Sequence, residues 1–93
     1  MIVQYPDIEL EMRFQNSRAI ATELSGLTED EQNLLYGLEK QIEEGDNYTP
    51  SPWIFNLPER SKWEAWNRQQ GKSNIMAKYD YIYIVLNLQL KYG

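Results

Sequence analysis

Apolar residues return at helical intervals along most of the chain. From Asp7 onward Leu10, Phe14, Ala21 and Leu24 share one stripe, with Ser17 completing it, and this spacing predicts a helix over 7–24. Ser25-Gly26 stops it, because glycine adopts the left-handed backbone that helix ends favour. Thr28 followed three residues later by Glu31 is a capping-box pattern, and acids in the first turn suit the helix dipole. A second helix is therefore predicted over 29–44, with Leu34, Leu35, Leu38 and Ile42 on one face and Gly45 as its stop. Residues 46–58, with three prolines, asparagine and serine, read as a long ordered loop. Trp53, Ile54, Phe55 and Leu57 are too apolar to float free and are expected to pin that loop against the helices. A short third helix fits 59–70, with Trp63 and Trp66 on one face. Gly71 ends it, and Ser73 can cap the next helix.

The last stretch supports two patterns. Ile82, Ile84, Leu86, Leu88 and Leu90 alternate with tyrosine, asparagine and glutamine, as in a strand. Ala77, Tyr81, Val85 and Leu88 are equally well spaced for a helix. A strand here would lack a partner, since nothing before it except the extreme N-terminus is strand-like, and this favours the helix.

Composition narrows the chemistry. Ninety-three residues support one modest core, and three Trp, seven Tyr and two Phe supply it generously. There is no cysteine and no histidine, which removes disulfides, thiolate zinc sites, cysteine nucleophiles and the commonest general base. The start, Met1 to Asp7, lacks the basic lead and apolar run of a signal peptide, and the longest apolar stretch, 81–86, is far short of a membrane span. A soluble, cytoplasmic protein is expected. A net charge of -5 argues against broad affinity for nucleic acid or anionic lipid. Acids crowd 29–46, however, whereas Arg60, Lys62, Arg68, Lys72 and Lys78 follow with few acids between, so a local basic patch is available.

Tyr36 and Lys40 stand one turn apart on the second helix, nearly opposite its leucine stripe, where both reach solvent or a ligand. The plainer reading is a solvated face with Lys40 paired to Glu44. Lys62 lies beside Trp63 and Trp66, which their spacing assigns to the core, and as a point charge on a flexible stem it suits phosphate. No spacing singles out an acid/base pair. Gly71-Lys72-Ser73 lacks the upstream glycine and strand of a phosphate loop. With no nucleophile, metal set or tuned base to name, an enzyme is not expected.

The order Tyr36-Gly37-Leu38-x-Lys40-Gln41, Gly45-Asp46, Lys62-Trp63-x-Ala65-Trp66-Asn67, Gly71-x-Ser73, Tyr81-Ile82 and Lys91-Tyr92-Gly93 closely resembles the acyl-CoA-binding protein family. The match runs from Tyr36 to the C-terminus, and the capping and apolar positions before it fit loosely. The resemblance implies an all-α, four-helix bundle of up-down-down-up topology, with 1–6 as a tail and 7–93 as the acyl-CoA-binding domain. It also implies noncatalytic binding, buffering and transport of medium- to long-chain fatty acyl-CoA esters, with no cofactor. Tyr36, Lys40, Lys62 and Tyr81 match the ligand-contacting positions of the family, and Gly37, Leu38 and Glu39 complete the segment. Lys40 and Lys62 would neutralise phosphates, and Tyr36 and Tyr81 would offer hydroxyls and ring surface to the adenine end. Arg60 is a weaker candidate for the phosphate site.

Several positions depart from the family pattern. Glu39 stands where a ligand-facing tyrosine is common, and a carboxylate there would repel phosphate. Pro58 and Glu59 replace positions that often carry glycine or lysine. Gln32 and Asn33 replace an apolar pair that lines the acyl groove, which points to a shorter or more polar chain. The first turn after Ser73 lacks acids. Tyr83, Ile84, Leu86 and Leu90 stand at usually polar positions and suggest a dimer, protein or membrane-surface contact through the last helix. These departures motivate a rival reading, an interaction domain that keeps the fold and has weak or lost ligand binding.

Overall fold

Four helices occur among the described residues: α1 (Asp7–Glu23), α2 (Glu29–Glu44), α3 (Leu57–Asn67) and α4 (Asn74–Tyr92). The computed structural model describes residues 4–53 and 56–93, and no strand occurs among them. The all-α expectation holds, and the stretch that alternates like a strand is the longest helix.

Its helical set decides the matter. Ala77, Tyr81, Val85 and Leu88 are the buried residues of α4, whereas Leu86 and Leu90 of the alternating set are exposed. Phe14, Leu35 and Leu38 meet that row from α1 and α2. Burying a side chain of this size stabilises by about 1.5–3 kcal/mol, far more than the fraction of a kcal/mol that separates local propensities. Tertiary contact with two helices overrides the local pattern.

Pairs along the helices fix their directions. Tyr5 stacks on Tyr79, Phe14 meets Tyr81 edge to face at 5.1 Å, and Gly26 lies against Tyr92, so α1 and α4 run parallel. Asn74 bonds the Ile42 carbonyl and Lys91 reaches Glu31, so α4 runs antiparallel to α2. Lys62 stands over Tyr36 and Lys40 over Trp66, so α2 and α3 are parallel. This is the expected up-down-down-up topology. It also explains the long connection before α3. Parallel neighbours need a return over the length of α2, about 24 Å for sixteen residues.

The ends follow local chemistry. Thr28 and Glu31 form the expected capping box, and the Ser73 hydroxyl accepts from the Met76 amide at 3.1 Å. Gly45 and Gly71 close the turns after α2 and α3 with φ of 80° and 89°. Helix α3 begins at Leu57 and ends at Asn67 rather than spanning 59–70. Pro58 sits in its first turn, where a missing N–H costs nothing.

The connecting loop corrects another expectation. Trp53 is 81% exposed and Leu57 63% exposed, so neither pins it, and Ile54 and Phe55 lie outside the described residues. Hydrogen bonds hold the loop instead. The Trp66 indole donates to the Gly45 carbonyl at 2.9 Å, and the Trp63 indole to the Thr49 carbonyl at 3.1 Å. Asp46 accepts from Gln41 and from the Gly71 amide, both at 2.8 Å, and these donors hold its carboxyl below the usual range.

At the opposite end a clasp closes the bundle. Glu31 accepts from the Tyr92 hydroxyl at 2.6 Å, from the Thr28 amide and from Lys91. Those donors, Tyr92 foremost, bring its pKa from 4.5 down to about 2. A carboxyl depressed in the folded state stabilises fully above its unfolded value, and that stabilisation disappears as pH falls from 4.5 towards about 2. The Tm difference between the parent and Glu31→Gln is therefore expected to narrow from about pH 6 to about pH 2.5. A difference that stays constant over that range would contradict the assignment.

Candidate functional site

The parallel pair α2 and α3 meets at Gly37, which is buried. A Cβ there would overlap the Ala65 carbonyl oxygen and stand 2.6 Å from its carbonyl carbon. Only glycine permits this approach, which brings the side chains on either side of the crossing within reach of one another.

On one side lies a cavity of about 220 Å³. Tyr36 and Lys40 of α2 line it with Lys62, Trp63 and Trp66 of α3, and Thr49, Pro50 and Pro52 close it from the loop. The fold thus brings Tyr36, Lys40 and Lys62 to one cavity. Trp66 is buried as expected for a core residue, yet it is also a wall of the site. Trp63 is half-buried. Thr49, Pro50 and Pro52 are not singled out by sequence, whereas Glu59, noted there only as a departure from the family pattern, is a wall of the cavity. The signal for the loop is long-range, since the Trp63 indole, fourteen residues on, donates to Thr49.

The two lysines differ in electrostatics. Lys40 forms an ion pair with Glu44 and stands 4.8 Å above the Trp66 ring. The Glu44 hydrogen bond raises its pKa, and partial burial opposes this. Lys40 pairs along its helix and also lines the cavity. Lys62 is exposed, 5.7 Å from the Tyr36 ring centroid, with no carboxylate partner among the described residues. Glu59, one turn earlier on α3, lines the same cavity and subtracts from its positive field. Arg60 pairs with Glu64 at 3.3 Å and does not line it.

The remaining candidates sit elsewhere. Leu38 is fully buried in the core. Tyr81 is 1% exposed and donates its hydroxyl to Glu39 at 3.0 Å. Burial first, then the Glu39 carboxylate, pushes that hydroxyl above its usual range. Glu39 turns away from the cavity to Tyr81 and to Arg18, 3.5 Å away. Neither Tyr81 nor Glu39 lines the cavity.

A second cavity of about 520 Å³ lies on the other side of the crossing. Leu34 and Ala65 are its apolar lining, and Asn33, Ser61, Glu64 and Gln69 are polar. Asn33 faces it, whereas Gln32 is exposed and donates to the Leu27 carbonyl at 3.1 Å. On α4, Tyr83, Leu86 and Leu90 are exposed, but Ile84 is half-buried against the core and does not belong to that patch. No group of acids that could hold a metal ion occurs among the described residues, and no described helix is long and apolar enough to cross a membrane.

A small cavity with two lysines, one of them shared with Glu44, and three aromatic rings suits an anionic ligand with a flat ring. The sequence model described as Acyl CoA binding protein matches residues 11–85. The chain belongs to the acyl-CoA-binding protein family. The acyl-CoA-binding protein homolog of Drosophila melanogaster is 44% identical over 79 residues, covering 81% of this chain and 92% of the relative. The acyl-CoA-binding protein of Saccharomyces cerevisiae is 48% identical over 64 residues, covering 69% and 74%. The crystal structure of Oryza sativa Acyl-CoA-Binding Protein 2 superposes with a TM-score of 0.83 at 38% identity, covering 88% of this chain and 92% of that one. The acyl-CoA-binding protein fold is thus shared over the helices that carry the cavity.

Proposed function

We propose that this chain binds fatty acyl-CoA esters one to one, without catalysis, and buffers and carries them in the cytoplasm. The observation that carries this reading is Lys62, a cation with no carboxylate partner among the described residues, on the cavity that Tyr36, Lys40 and Trp66 also line, in a chain of the acyl-CoA-binding protein family. In this reading the phosphates of CoA lie between Lys62 and Lys40, and the adenine rests on aromatic surface. Tyr81 acts from the flank, through Glu39. The relatives weigh against the rival reading of a domain without ligand binding.

Both parts of the ligand are needed. Burying a methylene is worth about 0.8 kcal/mol, so a long acyl chain contributes on the order of 10 kcal/mol before ordering costs. Nanomolar affinity requires about 12 kcal/mol net, so phosphate and ring contacts must supply a share. The polar lining of the larger cavity, Asn33 and Gln69 included, favours a shorter or more polar chain.

Calorimetric titration with acyl-CoAs of increasing chain length tests this directly. Saturable one-to-one binding is expected, with the gain per methylene falling well below about 0.8 kcal/mol at long chain lengths. An absence of both heat and tryptophan signal at every length would defeat the proposal.

A further inference from the structure

Three helices converge beside the head-group cavity. Arg18 comes from α1, Glu39 from α2 and Tyr81 from α4. Glu39 and Tyr36 are three residues apart on α2 and share a face, with Cβ atoms about 5–6 Å apart. Lys40 points to the α3 side of that face and Glu39 to the α4 side, successive residues being about 100° apart. Glu39 thus flanks the site although it does not line it.

A carboxylate so near a phosphate site would ordinarily weaken it. The Glu39 side chain is 32% exposed, so water screens its charge only partly. Two groups answer that charge. The Tyr81 hydroxyl donates a hydrogen bond but carries no charge, and Arg18 supplies the counter-charge at 3.5 Å. Arg18 is itself held in place, with its guanidinium 5.7 Å from the Phe14 ring centroid and its Nη1 donating to Gln15.

We propose that Arg18 is a positioning residue for ligand binding: by pairing with Glu39 it cancels the negative charge at the flank of the cavity and keeps that carboxylate turned away from the ligand phosphates. This role rests on the acyl-CoA reading of the cavity. Arg18 acts through Glu39 and not by gripping the ligand, so removing both partners restores neutrality.

The test is binding by four proteins, the parent, Arg18→Gln, Glu39→Gln and the double variant. Each is titrated at low salt with one acyl-CoA and with the pantetheine thioester of the same acid, which lacks the nucleotide and its phosphates. For acyl-CoA, Arg18→Gln is expected to weaken binding about fivefold, Glu39→Gln to strengthen it about twofold, and the double variant to bind within about twofold of the parent. For the pantetheine thioester the four proteins should agree within about twofold. A double variant as weak as Arg18→Gln overturns the proposal, because Arg18 then contacts the ligand or props the fold. Equal weakening of both ligands by Arg18→Gln overturns it as well. A parent protein that takes up neither ligand instead defeats the acyl-CoA reading itself, so the two failures are told apart.

Discussion

Gly37→Ala is expected to lower the unfolding free energy by about 2 kcal/mol, read as a lower denaturant midpoint at unchanged slope. The added Cβ meets backbone atoms of Ala65, which cannot rotate away, so α2 and α3 must separate. Forced overpacking of this kind costs about 1–3 kcal/mol and occasionally more. The better helix propensity of alanine returns about 1 kcal/mol at most, so the upper end of that range is needed to reach the expected net value. Affinity for acyl-CoA should fall in the same variant, because α3 carries Lys62 and Trp66 to the cavity. An unchanged or raised midpoint would show that the helices do not approach as described.

Lys62→Ala carries the largest expected effect on binding. A hydrogen bond to a charged group contributes about 1.5–3 kcal/mol, and each 1.4 kcal/mol is tenfold, so acyl-CoA affinity is expected to fall about 10- to 100-fold. Lys40→Ala should cost less, because part of that charge is already answered by Glu44. Glu44→Gln should accordingly strengthen binding, freeing Lys40 for the ligand. Isothermal titration at two salt concentrations checks the order, since the loss at Lys62 shrinks as salt screens the phosphates. A larger loss at Lys40 than at Lys62 would reverse the assignment.

Local chemistry made much of the fold legible. The capping box at Thr28 and Glu31 and the cap at Ser73 depend on neighbours in sequence, and both appear as read. The α2 stripe of Leu34, Leu35, Leu38 and Ile42 packs inward, but Gly37 and Gln41 are buried too. They were missed because α2 is covered twice, by α4 on one side and by α3 on the other, and a single stripe cannot show a second neighbour. The same limit explains Trp53 and Leu57. Apolar content suggested burial, whereas the loop is secured by indoles of α3 that donate to its carbonyls and by the Gly71 amide, which donates to the Asp46 carboxylate.

The candidate site shows the same division. The family pattern names Tyr36, Lys40 and Lys62, and the fold brings them to one cavity. Glu39 was recognised as an intruder, but its partner Arg18 lies on another helix, and no spacing in the sequence ties the two together. Tyr81 was placed in the site by the family pattern, and its hydroxyl is directed to Glu39 because burial leaves it no water to bond.

The indole placements have an optical consequence. Trp63 and Trp66 wall the cavity and are bonded to the loop, while Trp53 is open to solvent. Emission from this chain therefore combines one solvent-relaxed fluorophore, indifferent to the cavity, with two in a restricted setting beside Lys40 and Tyr36. A ligand that fills the cavity excludes water from those two alone. The blue side of the spectrum becomes an unlabelled gauge of occupancy, and collisional quenching by iodide should silence Trp53 while leaving that gauge readable.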